Sequence, residues 1–142
     1  MKNTLIMIML ILNGMTLNAQ SGEVEVIVTD VVAEWGGSVI ITIFEARGFP
    51  KDGEAFVGEN VPVKDVKAKH VFENIPVGHY AITVFQDLNG DGTLNRDIYR
   101  RPTEPYAFSN NVFGRFGPPK FAEVSFSVTS NSNSKFVIHL KE

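Results

Sequence analysis

Hydrophobic and polar residues alternate with a period of two over most of the chain, and no stretch sustains a helical period. From Glu23 to Val28, the residues Val24, Val26 and Val28 fall on one face and Glu23, Glu25 and Ile27 on the other, the pattern of a half-buried strand. Gly36-Gly37 interrupts it. Ser38 to Phe44 then carries β-branched or aromatic residues on both faces, with Val39, Ile41 and Ile43 against Ile40, Thr42 and Phe44. A strand covered on both sides is predicted there. Further strands are expected at Val61 to Val66 or on to Phe72, at His79 to Gln86, at Ala122 to Val128 and at Lys135 to Leu140. In the last two, Ala122, Val124, Phe126 and Val128 and then Phe136, Ile138 and Leu140 point inward. Arg47 to Asn60, with Gly48, Pro50, Gly53 and Gly58, reads as a long irregular connection with room for one helical turn. Short strands with Gly, Pro and Asn punctuation predict an all-β fold, an antiparallel Ig-like β-sandwich of about seven strands.

The first residues break this pattern. Lys2 precedes an unbroken apolar run from Leu5 to Leu12, and Leu17-Asn18-Ala19 stands before Gln20. That is the layout of a secretory signal peptide over residues 1–19. The run is far shorter than the roughly 20 apolar residues that span a bilayer, so no membrane span is expected after cleavage. The remaining 20–142 form one domain with a long loop over residues 87–120, and the expected destination is secreted or periplasmic.

Cleavage also changes the available chemistry. Met1, Met7, Met9 and Met15 are the 4 Met of the chain and Cys is absent, so a mature chain from Gln20 contains no sulfur. Disulfides, thiolate catalysis, Cys-ligated zinc and a lipid-modified cysteine are excluded. The whole chain has 13 Lys+Arg against 16 Asp+Glu, a formal net charge of -3. That offers no electrostatic footprint for nucleic acid.

Two segments could carry chemistry. Asp87, Asn89, Asp91 and Asn95 stand at the first, third, fifth and ninth places of an EF-hand-style loop, with Gly92 at the sharp turn and the Thr93 carbonyl next. Hard oxygens at this spacing converge on Ca²⁺. The twelfth place is Ile98 instead of an acid, and Asp97 lies one residue early. The loop is thus a candidate Ca²⁺ site, although the same residues also serve a plain polar turn. The second segment runs from Tyr99 to Phe121. Its Arg100, Arg101, Glu104, Tyr106, Phe108 and Arg115 suit a small-molecule, glycan or protein partner, while its Phe side chains could instead close one end of the sandwich. His70, His79 and His139 do not assemble a site by spacing, and no Gly-x-Ser-x-Gly elbow supplies a nucleophile.

Phe72-Glu73-Asn74-Ile75-Pro76-Val77-Gly78-His79-Tyr80 reads as a corner between sheets. It resembles the Phe-x-Asn-Leu-Pro-x-Gly-x-Tyr corner of prealbumin-like sandwiches, such as the accessory domain of regulatory carboxypeptidases. Together with Asp87 to Asn95 and Pro102-Thr103-Glu104-Pro105-Tyr106-Ala107-Phe108-Ser109-Asn110-Asn111, the order is similar to the bacterial secreted family of domain of unknown function 2141. Tyr99-Arg100-Arg101 and Ala107 depart from that family's usual apolar-Gly pair and Gly. The resemblance implies a prealbumin-like fold and export, and no activity. An enzyme on a similar sandwich, the transthyretin-like hydroxyisourate hydrolase, has a Tyr-Arg-Gly-Ser ending with no counterpart here. The sequence therefore predicts an exported, non-enzymatic binding module, with calcium ordering its loop. The alternative is a cell-envelope hydrolase of small molecules or glycans using Asp87, Asp91 and Glu104.

Overall fold

A computed structural model describes residues 19–142; apart from Ala19, the predicted signal peptide lies outside the described residues. Eight strands form two sheets: β1 (Ser21–Thr29), β2 (Ser38–Phe44), β3 (Val57–Pro62), β4 (Ala68–Pro76), β5 (Gly78–Asp87), β6 (Tyr106–Phe108), β7 (Phe126–Val128) and β8 (Asn133–His139). One sheet is three-stranded, ordered β4-β1-β8, and the other is five-stranded, ordered β3-β2-β5-β6 with β7 pairing β5. Among the described residues, no helix is long and apolar enough to cross a membrane.

The alternating faces produce the sandwich. Val24, Val26 and Val28 of β1 are fully buried and pack in one cluster with Val39, Ile41 and Ile43 of β2 and Ile82 and Val84 of β5. Burial of this apolar surface is the main favourable contribution to folding. The outer face of β1 carries the half-exposed Glu25 and Ile27, as the alternation predicts.

Four features differ from the sequence expectations. The β1–β8 pairing is parallel, within a fold whose other strand pairs are antiparallel. Alternation fixes which face a side chain takes and leaves the direction of the neighbouring strand open. Second, β3 begins at Val57, inside the stretch read as irregular, because backbone pairing with Ile43 through Ser38 recruits Gly58, Glu59 and Asn60 despite their weak strand preference. Third, residues 61–72 hold parts of two strands, the end of β3 and the start of β4. Fourth, Ala122 to Val128 splits into a one-turn helix α1 (Phe121–Val124) and the short β7. Glu123 accepts the Lys120 amide at 2.7 Å, closing that turn, and only Val124 of its residues is buried.

The corner joins the two sheets. The Tyr80 hydroxyl donates to the Pro76 carbonyl at 2.9 Å across the Val77 link. The backbone at Gly78 lies so close that an added Cβ would stand 3.3 Å from the Tyr80 ring. At the other end of β5, the fully buried Gln86 donates to the Val32 and Gly36 carbonyls and accepts the Val32 amide, closing that end of the core.

The five-stranded sheet is covered on its outer face as well. Ala81, Phe108 and Val124 form a second buried cluster with Phe49, Tyr106, Val112 and Phe121 against it. This cover reaches β2 at Phe44, which packs edge-on against Phe49, and accounts for the apolar outer face at that end of the strand.

Candidate functional site

The polar loop begins where β5 ends. Asp87 is buried, and its two oxygens accept the amides of Gly90 at 2.8 Å and Gly92 at 2.9 Å. Both glycines have positive φ, 75° and 77°, which aims their N–H groups back at the carboxylate. Farther out, Asn89, Asp91 and Asn95 meet. Asp91 Oδ2 accepts the Asn95 amide at 2.8 Å and the Asn89 amide at 3.1 Å, and Asn89 also donates to Asn95 Oδ1 at 2.9 Å. Asp91 Oδ1 accepts the Thr93 amide and hydroxyl.

These donors, led by the Asn95 amide and the Thr93 N–H, hold the Asp91 carboxyl down to about 2. Its folded value lies below its ordinary one of 3.8, so its stabilisation of the loop is present above about pH 4 and lost as pH falls through about 2. Carbon-detected NMR titration should place the Asp91 midpoint near 2; a midpoint near 4 would mean that these bonds are not populated in solution.

Glu104 and Asp97 take other parts than their spacing suggested. Glu104 is buried; one oxygen accepts the Leu88 amide at 2.9 Å and the other the Asn95 amide at 3.0 Å. It pins both ends of the polar loop and does not line the cleft described below. Asp97 pairs with Arg101, Oδ2 lying 2.8 Å from Nε and 2.7 Å from Nη2, and accepts the Tyr99 and Arg101 amides. That pairing, with the Arg101 guanidinium foremost, holds the Asp97 carboxyl below the usual range. It closes its own turn, while Ile98 beside it is 89% exposed. Among the described residues, no group of three or more His, Cys, Asp and Glu is gathered as metal ligands.

Beyond Asn95, the chain builds an open cleft of about 1140 Å³. Arg100, Arg101, Tyr106, Phe108 and Arg115 line it, and so does Arg96, which the sequence reading did not single out. The signal for Arg96 was its place four residues before Arg100-Arg101 in the same turn, where its Nη1 donates to the Arg100 carbonyl at 3.3 Å. Phe108 is mostly buried in the second cluster, so part of this segment closes the sandwich, whereas Phe116 is 96% exposed.

The Ser109-Asn110-Asn111 segment proves structural. Ser109 is fully buried, accepting the Ile82 amide and donating to the Val124 carbonyl. Asn111 donates to the Val137 carbonyl at 3.0 Å and accepts the His139 amide at 2.8 Å. It thereby caps the open edge of β8, which would otherwise offer unpaired strand groups. Asn110 and Asn111 both have positive φ, which Asn tolerates better than most residues. The histidines stay outside the cleft: His79 contacts Ser127, His139 contacts Asp30 and Thr29, and His70 packs on Phe72.

The profile of a family described as an uncharacterized protein conserved in bacteria (DUF2141) matches residues 24–136, from the first core strand into the last and including the corner and both loops. The chain belongs to the DUF2141 family. No curated protein and no solved structure matches it. The family match thus spans the sandwich, the polar loop and the cleft together.

Proposed function

We propose that this DUF2141 protein is an exported, non-enzymatic binding module on a prealbumin-like sandwich, with the cleft beyond Asn95 as its ligand site and Ca²⁺ ordering the loop that supports it. The observation that carries the reading is the cleft itself: four arginines and exposed aromatic rings on loops flanking the edge strand β6, beside acids already engaged by backbone amides or Arg101. Loops held on such a scaffold are where binding residues concentrate. The same bonds argue against the hydrolytic alternative. A catalytic acid pair needs two carboxyl groups facing one substrate, whereas each oxygen of Asp87 and of Glu104 accepts a main-chain N–H.

The loop chemistry fits a weakly held Ca²⁺. Asp91 Oδ2 faces two amide N–H groups, the position where a cation would sit. A half-turn of the Asn95 amide, which gives up the bond its oxygen accepts from Asn89, presents that oxygen to the same point, and Asn89 Oδ1 keeps a lone pair after accepting the Asp91 amide. With few carboxylates available, affinity of roughly 10⁻⁴ to 10⁻³ M is expected. Millimolar Ca²⁺ should raise the melting temperature, and Asp87→Ala with Asp91→Ala should abolish the rise. No rise in the wild type would reject calcium ordering. For export, mass spectrometry of the mature protein should find its N-terminus at Gln20; recovery of chains still starting at Met1 would reject it. The sheet-to-sheet corner from Phe72 to Tyr80 supports the prealbumin-like affinity of the fold.

A further inference from the structure

The cleft reverses the charge of the molecule. The chain carries a net charge of -3, yet Arg96, Arg100, Arg101 and Arg115 line one cleft against only Asp97 and Glu142. Asp97 is committed to Arg101. Among the described residues, Arg96, Arg100 and Arg115 have no carboxylate within salt-bridge distance. Guanidinium groups lining one cleft give it a positive potential that draws anions, and Arg presents paired donors that match carboxylate and phosphate oxygens.

The cleft does not end at its arginines. A second, mostly apolar slot of about 290 Å³ opens from it, sharing Arg96, Tyr106, Phe108 and Pro118. Its floor is the outer face of the five-stranded sheet at Ile40, Thr42 and Thr83, a part that the second cluster leaves half-exposed. Leu94 stands at its wall, and its one acid, Asp52, is exposed on the loop after β2. Arg96 therefore stands where an apolar channel meets a positive mouth. On the rim, Tyr99 is 72% exposed under the Arg101 guanidinium, and the Arg115 guanidinium lies over the exposed Phe116 ring at 5.6 Å. An apolar pocket with a few convergent polar groups is the usual form of a small-ligand site.

We propose that this joined cleft and slot binds a small organic anion with an apolar body, its acid group held by Arg96 and Arg115 at the mouth and its body lying in the slot over Ile40 and Thr83. The assignment rests on the reading of the cleft as a ligand site and adds the ligand's chemical class. Four of the chain's five arginines line this one cleft and no lysine does, a compact footprint that favours a small anion over an extended polyanion.

Calorimetry with the purified protein tests this using decanoate, chain-matched 1-decanol and decylammonium, acetate, and phosphatidylglycerol vesicles. Decanoate should bind one-to-one, about tenfold tighter than decanol, with no binding of decylammonium or acetate. Arg96→Ala with Arg115→Ala should remove about that tenfold preference, bringing decanoate affinity down to that of decanol measured on the same variant. Thr83→Phe, which fills the slot floor, should weaken both ten-carbon ligands alike. Equal binding of decanol and decanoate would overturn the anion assignment and leave the ligand-site reading standing. Binding of acetate as tight as decanoate would overturn the role of the slot. Binding only to phosphatidylglycerol vesicles, with none to decanoate, would replace a small ligand by a membrane surface, and no binding in any arm would overturn the proposal.

Discussion

Truncating Tyr80 to Ala is expected to lower the unfolding free energy by about 3–5 kcal/mol, the range for deleting a large aromatic side chain from a core. Tyr80 is only 2% exposed, and its ring packs against Phe56 at 5.5 Å and Phe126 at 6.4 Å between centroids. Gly78 lies flat against the same ring, so backbone and side chain leave little freedom to collapse into the cavity. The hydroxyl adds a second part. Burial, with Glu45 as a lesser influence, pushes the Tyr80 hydroxyl above its ordinary range, so it stays protonated and donates to Pro76 across neutral pH. Tyr80→Phe should therefore cost about 1 kcal/mol, the net worth of one hydrogen bond. Urea unfolding of the three proteins measures both steps. A loss under about 1 kcal/mol for Tyr80→Ala would mean that the corner does not hold the sheets together. Phe126 is half-buried, so Phe126→Ala should cost less than Tyr80→Ala.

Tyr80 was legible because it combines three local signals: a Pro-Val-Gly turn, an aromatic at inward parity and a strand opening behind it. The same locality made β1, β2, β5 and β8 readable, since face assignment needs only a period of two. The features that escaped depend on partners distant in sequence. Parallel pairing of β8 with β1 joins Asn133 to Glu23, and nothing in either strand encodes its neighbour's direction. β3 owes its existence to β2, and α1 to a Glu123–Lys120 closure that overrode an alternating pattern. At the site, Arg100, Arg101 and Arg115 were readable as charge beside aromatics in a long irregular segment. The slot was foreshadowed only by the double apolar faces of β2, which signalled a cover without its gap. Glu104 was the least legible, because its spacing suggested a ligand-facing acid while its bonds reach back 16 residues to Leu88.

That reach gives the second prediction. Glu104→Gln should destabilise the protein by about 2–3 kcal/mol, nearly as much as Glu104→Ala, although Gln keeps the size and shape of the side chain. A carboxylate offers two acceptor oxygens, and here each takes one main-chain donor, Leu88 N–H and Asn95 N–H. An amide has one acceptor oxygen and one NH₂, so either orientation sets a donor against a donor and leaves a partly buried N–H unpaired. The damage should be local. Hydrogen exchange should speed up at Leu88 and Asn95 and through the polar loop between them, while Ile41 and Ile82 in the core keep their protection relative to the lowered global stability. Because Asn95 also donates to Asp91, loosening it should let the Asp91 carboxyl rise from about 2 toward its ordinary value and weaken any Ca²⁺-dependent gain in melting temperature. A Glu104→Gln protein within about 0.5 kcal/mol of wild type, with unchanged exchange at Leu88 and Asn95, would show that the carboxylate does not bind these two amides together in solution.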